Sequence, residues 1–570
     1  MNQPSPAIVP QLAVRRLPRL ALWLFALAYV LPGFIGRSPW RQEDMAAFGY
    51  MLALARGQAD WLAPTLQGMP PAVDGLLPYW LGAWAIRAAP AWMPVDFAAR
   101  LPFIALLGLA LLAVWYAIYY LARSPLAQPV AFAFGGEARP KDYARALADG
   151  GLLAFIACLG LAQLGHETTP ALVQLCGVAL SFYALAALPF RRWTPALSAL
   201  FGLGGLALSG GPSMAVLLAA GGLLAHALDR RQAEEEPRRH RRGLWRLLAL
   251  TVALAALATA LQLWRWRIQP PPLTGATLES LGNLLLWFTW PLWPLVLWTL
   301  WRWRRQLLGR WPSRHLSLPL WYALITLGAT VLTPAGDRAL LLALPALAAL
   351  AAFALPTLGR SVSALIDWFT LLFFTTCALV IWVVWVAMLT GVPPQPAANV
   401  ARLLPDFEPR FVILPFVFAT LATLAWGWLV HWRVGRHRAA LWKSMVLPAG
   451  GAALCWLLLT TLWMPALDHA QGYAPLVHRL QAHVGADRCL AHFGLSRAQL
   501  AALQFHGSLR LQPLTDDSTC PWALLDRGVV SQTPEIVNAE RWVRDSDWSH
   551  PRPGSEDLVL FHRRTPAAAR

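Results

Sequence analysis

The chain has 570 residues, 57% of them hydrophobic and only 13% charged, with a formal net charge of +18 at pH 7. A soluble domain carries about a quarter charged residues, so this composition excludes an ordinary soluble protein. It also excludes a nucleic-acid binder, because the basic residues sit in short arginine clusters between apolar runs of roughly 20 residues, the pattern that orients membrane helices.

Arg15, Arg16 and Arg19 precede an apolar run beginning at Leu20. No small-residue cleavage site follows Leu31-Pro32-Gly33-Phe34, which predicts an uncleaved first span with a cytoplasmic N-terminus. Arginine-rich connections recur at Arg123 to Arg145, Arg191-Arg192, Asp229 to Arg242, Arg302 to Arg314 and Arg433 to Lys443. The positive-inside rule places them in the cytoplasm. Alternation then predicts about thirteen transmembrane helices, at 17–36, 101–122, 149–165, 170–189, 194–209, 212–228, 244–262, 283–300, 316–333, 338–356, 364–390, 411–430 and 441–464. The alternation requires that Leu76 to Ala89, a stretch too short for a comfortable span, lie at the outer surface. If it crossed, every later loop would invert. Residues 37–100 thus read as one long outer loop with juxtamembrane helices. The first is Glu43 to Arg56, with Met45, Phe48, Met51, Leu52 and Ala55 at helical spacing.

Hydropathy falls after Met464. Residues 1–464 read as the membrane domain and 465–570 as a small periplasmic α/β domain. Helices are expected over Tyr473 to Val484 and Ser496 to Phe505, and strands over Arg488 to Phe493 and Asp557 to His562. Cys158, Cys176, Cys377 and Cys455 lie in apolar runs and read as packing residues. Cys489 and Cys520 lie in the tail, where an oxidising compartment allows a disulfide; two free thiols are the alternative.

Four polar clusters fall on the outer face. Glu43 and Asp44 can accept a proton from an acceptor group or hold a divalent metal; equally, acidic residues favour a helix N-terminus. His166 and Glu167 sit in a short loop between apolar spans and read as catalytic or as an ordinary capped turn. Arg265 and Arg267, set among tryptophans, suit a lipid phosphate or simple snorkelling. Arg338 is a phosphate ligand or the partner of Asp337. No cofactor is called for. An acid–base end beside a cationic end, at a lipid surface, suits a sugar carried on a lipid phosphate.

The first loop resembles that of the membrane glycosyltransferases of the aminoarabinose transferase and protein O-mannosyltransferase type, which have the GT-C fold. The matching pieces are Glu43-Asp44, Asp60-Trp61-Leu62-Ala63-Pro64, Leu77-Pro78-Tyr79-Trp80-Leu81 and Phe97-Ala98-Ala99-Arg100-Leu101-Pro102; Ser209-Gly210-Gly211-Pro212 and Asp337-Arg338 through Leu347 follow more loosely. The resemblance implies an all-α polytopic GT-C-like membrane protein of the bacterial inner membrane. It implies a polyprenyl-phosphate-linked sugar donor, a periplasmic acceptor (lipid A, another glycan or a protein), and a carboxylate base. Glu43 and Asp44 share the position of the family's catalytic carboxylate. The family's two lysines fall at Asp74 and Gly210, so Arg265, Arg267 or Arg338 must meet the phosphate, with Asp74 and Tyr79 lining the substrate side. A lipid-linked glycan transporter or flippase, or a non-catalytic partner in glycan assembly, is the rival reading. It requires ionisable residues near mid-membrane, which the spans hardly hold.

Overall fold

The computed structural model describes residues 5–40, 42–229, 234, 236–264, 269–272, 274–309, 313–333, 336–434, 440–485, 489–515, 517–532, 541–548 and 557–564. Its principal membrane-region helices are α1 (Arg19–Val30), α2 (Glu43–Ala55), α3 (Leu77–Ala88), α4 (Val95–Ala122), α5 (Pro140–Ala157), α6 (Leu159–Leu164), α7 (Pro170–Ala187), α8 (Thr194–Leu208), α9 (Pro212–Ala227) and α10 (Pro237–Ala260). These are followed by α11 (Gly275–Phe288), α12 (Leu292–Arg302), α13 (Arg314–Leu332), α14 (Gly336–Leu341), α15 (Leu344–Ala352), α16 (Arg360–Thr390), α17 (Pro394–Leu403), α18 (Ile413–Val434) and α19 (Lys443–Leu462).

Eight segments are long and apolar enough to cross a membrane, and the pair α11–α12 makes a ninth. The shorter apolar helices α1, α8 and α9 bring the candidate segments among the described residues to twelve, one fewer than the sequence reading; α5, 18 residues long, carries too many polar residues to count with them. Their connections sort by charge. Arg123, Arg191, Arg192, Arg238, Arg242, Arg302, Arg304 and Arg314 fall on one face; the His166 loop, Arg338 and helices α2 and α3 fall on the other, called here the site face. At 13 and 12 residues, α2 and α3 are too short to span, and they pack on each other along the site face.

Helix α7 is the buried axis of the bundle, packed between α4 and α8. Small residues allow this. A Cβ on Gly177 would stand 2.8 Å from the Gly202 carbonyl oxygen, so the α7 and α8 backbones touch there. Helices α16 and α18 are apolar all round yet mostly exposed, as lipid-facing spans must be.

Three spans differ from their sequence reading. The span read as 149–165 begins at Pro140 and breaks at Cys158, because Pro at the first helical position starts α5 earlier than hydropathy does. The span read as 283–300 is two helices bent by 89° at Thr289 to Pro291, where proline interrupts the hydrogen-bond ladder. The span read as 338–356 is divided into α14 and α15.

Beyond α19 the chain forms α20 (Met464–Gln471), α21 (Ala474–Val484), β1 (Cys489–Phe493), α22 (Arg497–His506), β2 (Arg510–Pro513), β3 (Trp522–Asp526), β4 (Trp542–Trp548) and β5 (Leu558–Arg563). The sheet order is β2-β1-β3-β5-β4, parallel among β2, β1 and β3 and antiparallel for β5 and β4. Ser496 caps α22 in a full capping box with Gln499. Cys489 and Cys520 are joined as a disulfide. Strands β2 and β4 escape the sequence reading because they are largely polar, as Arg-Leu-Gln-Pro and Trp-Val-Arg-Asp-Ser-Asp-Trp; the apolar β3 escapes it as well.

This unit is not hung loosely after the membrane region. Helix α22 packs along α2, with Phe48 edge-on to Phe505 at 4.8 Å. Gly49 makes the approach possible, since a Cβ there would lie 2.5 Å from the Cβ of Ala501. Gly49→Leu is therefore expected to destabilise the protein by about 1–3 kcal/mol through overpacking. A thermal melt, paired with protease cleavage of the C-terminal unit, measures this. A variant that melts like the wild type and resists protease equally would show that α2 and α22 do not need this contact.

Candidate active site

The site grows from the end of α1. After the turn Pro32–Phe34 the chain carries Arg37 inward rather than to solvent. Gly33 leaves room beneath the His166 ring, where a Cβ would collide. The Arg37 guanidinium donates to the Gly33 carbonyl at 3.0 Å and the His166 carbonyl at 2.8 Å, and to Asp44 Oδ2 at 2.6 Å. Its plane also lies over the Trp40 ring, 4.7 Å from the centroid.

Asp44 is 2% exposed and fully engaged. Oδ2 accepts from Arg37 and from the Trp40 backbone N–H at 3.1 Å; Oδ1 accepts from the Thr168 N–H at 2.8 Å and from the Thr168 hydroxyl. Burial would raise this carboxyl, but Arg37, Thr168 and Arg100 more than reverse the effect and hold it below the usual carboxylate range. Arg100, itself 2% exposed, donates to Asp96 at 2.9 Å and more weakly to the Phe34 carbonyl. The residue before α2, Gln42, is held at φ 66°, a conformation that side-chain-bearing residues rarely adopt. Asp468 fastens the same strap from the far end of the chain. Its Oδ1 accepts from the Ser38 N–H at 2.8 Å, the Ser38 hydroxyl at 2.7 Å and the Trp40 indole at 3.1 Å.

Glu43 turns the other way. It lines an open cleft of about 300 Å³, together with Tyr50, Tyr79 and Arg497. Arg497 comes from the start of α22 and donates to the Pro70 carbonyl at 2.8 Å. The Tyr50 hydroxyl donates to the Met69 carbonyl at 3.1 Å and the Tyr79 hydroxyl to the Val73 carbonyl at 3.3 Å. Burial pushes the Tyr50 phenol up to about 12 and Tyr79 well above its ordinary value, so both remain neutral donors. Asp74 stands in the loop before α3, where a Cβ on Gly210 would lie 3.3 Å from the Asp74 carbonyl oxygen. The two positions that carry lysine in the resembled family are thus neighbours in space.

His166 is 2% exposed, wedged among Tyr29, Phe34 and Trp456. Burial lowers it to about 4, so the ring is neutral. Both ring nitrogens face backbone carbonyls, Nδ1 toward Ala162 and Nε2 toward Tyr29 at 3.0 Å, and the ring offers no nitrogen to a substrate. Glu167 lies beside this packing. It is 8% exposed, and its Oε2 is 3.4 Å from the Arg338 guanidinium. Burial raises its carboxyl to about 7, with Arg338 pulling down and Asp44 pushing up. Arg338 also meets Asp337 at 3.9 Å, and its Nε has no partner among the described residues.

The structure therefore brings Asp44, Glu167 and Arg338 together around Arg37 and Thr168, and places Glu43 and Tyr79 in a cleft on the other side of α2. Arg265 and Arg267 lie outside the described residues. Among the described residues, no three His, Cys, Asp or Glu side chains are grouped to hold a metal ion. Sequence reasoning missed Arg37, Asp468 and Arg497. Arg37 was legible as a charge seven residues ahead of Asp44; the other two reach the site across more than 400 residues.

No family model and no curated protein matches the chain in sequence. Its structure is similar to that of ArnT from Cupriavidus metallidurans bound to undecaprenyl phosphate, with a TM-score of 0.58 at 12% identity over 95% of this chain and 98% of that one. The apo state of the same protein matches with the same values. The likeness runs through both the membrane helices and the C-terminal unit, and the chain therefore has the polytopic GT-C fold of ArnT.

Proposed function

We propose that the chain is an inner-membrane glycosyltransferase that moves a sugar from a polyprenyl-phosphate carrier to a periplasmic lipid, glycan or protein. The site face and the C-terminal unit are periplasmic in this reading, and the arginine-rich face is cytoplasmic. The observation that carries it is Glu43. Of the carboxylates on the strap it is the one that lines an open cleft, which Arg497 lines as well. The fold likeness to a protein captured with undecaprenyl phosphate supports a carrier of that class.

In the reaction an acceptor hydroxyl or amine attacks the anomeric carbon, with inversion. Glu43 takes its proton as the new glycosidic bond forms. The bond from that carbon to the phosphate oxygen breaks, and the phosphate leaves with the electron pair, met by Arg497. Asp44 touches no substrate; it positions Glu43 by anchoring the first turn of α2. Tyr79 borders the sugar, and His166 takes part in no step. The rival transporter reading is weakened because the apolar helices hold few ionisable groups at mid-length, and the one in α5, Asp149, is occupied in accepting from the Trp115 indole at 2.8 Å.

A second reading makes Glu167 the base and Arg338 the phosphate ligand. It is favoured by a carboxyl brought to about 7, near the ideal for a general base at neutral pH. A base must be ionised to act, so here the transfer rate should rise as pH increases through about 7, and Glu167→Gln should abolish both rate and inflection. The assay follows labelled sugar passing from an undecaprenyl-phosphate donor to the acceptor fraction in membranes carrying the chain. If Glu167→Gln retains activity and pH profile, this second reading fails and Glu43 stands alone.

A further inference from the structure

On the face opposite Glu43, between α7, α8, α9 and α10, lies a cavity of about 740 Å³ with an unusual lining. Arg191 and Arg192 border it from the α7–α8 connection, and Arg238, Arg239, Arg242 and Arg246 border it from α10. Spacings of three and four residues put the last four along one side of that helix. The floor is apolar, built from Leu185, Ala199, Leu247 and Leu250.

Six guanidinium groups around one cavity need counter-charge, and the described residues supply little. Arg239 pairs with Glu236 at 3.0 Å, and the Arg191 Nε donates to the Tyr120 hydroxyl at 2.8 Å. Arg192 and Arg246 converge on one indole, at 5.6 and 5.5 Å from the Trp193 ring. Among the described residues no carboxylate pairs with Arg192, Arg238, Arg242 or Arg246. Helices α8 and α10 begin at this cavity while α7 and α9 end at it, so the helix dipoles offset one another and the positive field comes from the arginines. Outside the mouth, Leu200 and Phe201 of α8 and Leu248 and Val252 of α10 remain exposed on the membrane flank.

From this arrangement we infer that the cavity is a binding site for an anionic diacyl phospholipid of the leaflet on the arginine-rich face. The arginines take the phosphate, bidentately where a guanidinium edge is free. The apolar floor takes the glycerol region, and the acyl chains run along the exposed flanks of α8 and α10. A lipid with two phosphates answers the charge best, and a basic pocket between membrane helices is where such headgroups bind. The site stands apart from Glu43 and holds whether or not the transferase reading does.

The test uses the full chain, purified in detergent and stripped of lipid, and titrated with diphosphatidylglycerol, phosphatidylcholine or inorganic phosphate. Bound lipid is counted by native mass spectrometry and the melting temperature followed. Diphosphatidylglycerol should bind and raise the melting temperature, while the other two should not. The triple variant Arg192→Gln, Arg242→Gln, Arg246→Gln should weaken binding by about 100-fold, taking roughly tenfold or less for each cation. Arg302→Gln, Arg304→Gln, Arg305→Gln, with the same net charge and the same face, should bind like the wild type. Should the first triple not fold, Arg246→Gln alone should weaken binding by several-fold. Equal affinity in the cavity variants and the control would overturn the site, and so would equal binding of phosphatidylcholine. A shift produced by inorganic phosphate alone would show an anion site without lipid and overturn it as well.

Discussion

Asp44→Asn is expected to lower stability by about 3–5 kcal/mol, the usual cost of removing one partner from a buried ion pair. The amide keeps the shape of the side chain but leaves the Arg37 guanidinium, 1% exposed in its side chain, without a counter-charge. It also cannot accept from Arg37, Trp40 and both Thr168 donors as a carboxylate does. The pH dependence has a defined sign. Because the folded carboxyl lies below its ordinary value, Asp44 contributes stability above the unfolded pKa of about 4, and that contribution is lost only as pH falls through the lower folded value. Thermal melts of the wild type and Asp44→Asn at neutral pH and at decreasing pH measure both effects. Equal melting temperatures at neutral pH would remove Asp44 from its anchoring role.

Glu43→Gln is expected to leave folding and membrane insertion intact and to reduce transfer by about 10²–10⁴-fold, the contribution typical of a positioned general base. The side chain borders an open cleft and takes no part in the buried network around Arg37, so its amide fits without strain. The two adjacent carboxylates should thus separate cleanly. One substitution affects the melt and the other the rate. A Glu43→Gln variant with undiminished transfer would move the base elsewhere, with Glu167 next in line. Loss of stability without loss of rate at position 43 would mean that the cleft is structural.

The contrast between these neighbours shows what was legible in the sequence. Hydropathy carried the polytopic helical fold and most of its apolar segments, because span length is a local property. That Leu77–Ala88 forms a helix too short to span was legible in the same way. Local patterns did not reveal which carboxylate points inward. Glu43 and Asp44 are equivalent in composition and differ by one step of helix rotation; their roles are set by Thr168 on one side of α2 and Arg497 on the other. Likewise Asp468 and Arg497 look like ordinary residues of a soluble tail until α22 packs on Gly49. The arginines proposed for the phosphate illustrate the reverse. Arg338 does sit on the site face, but it is held by Glu167 and Asp337, and the cation that shares the cleft with Glu43 lies in the C-terminal unit. The breaks in the spans were hidden too, since Pro140 and Pro291 change helix geometry while leaving mean hydropathy almost untouched.

The most direct measurement of the central claim is mass spectrometry of glycolipids and glycoproteins from cells with the gene, without it, and with Glu43→Gln in its place. A sugar transferase predicts an acceptor lighter by one sugar residue in the second and third strains, with the sugar-loaded polyprenyl phosphate accumulating in both. Identical acceptor spectra in all three strains would contradict it.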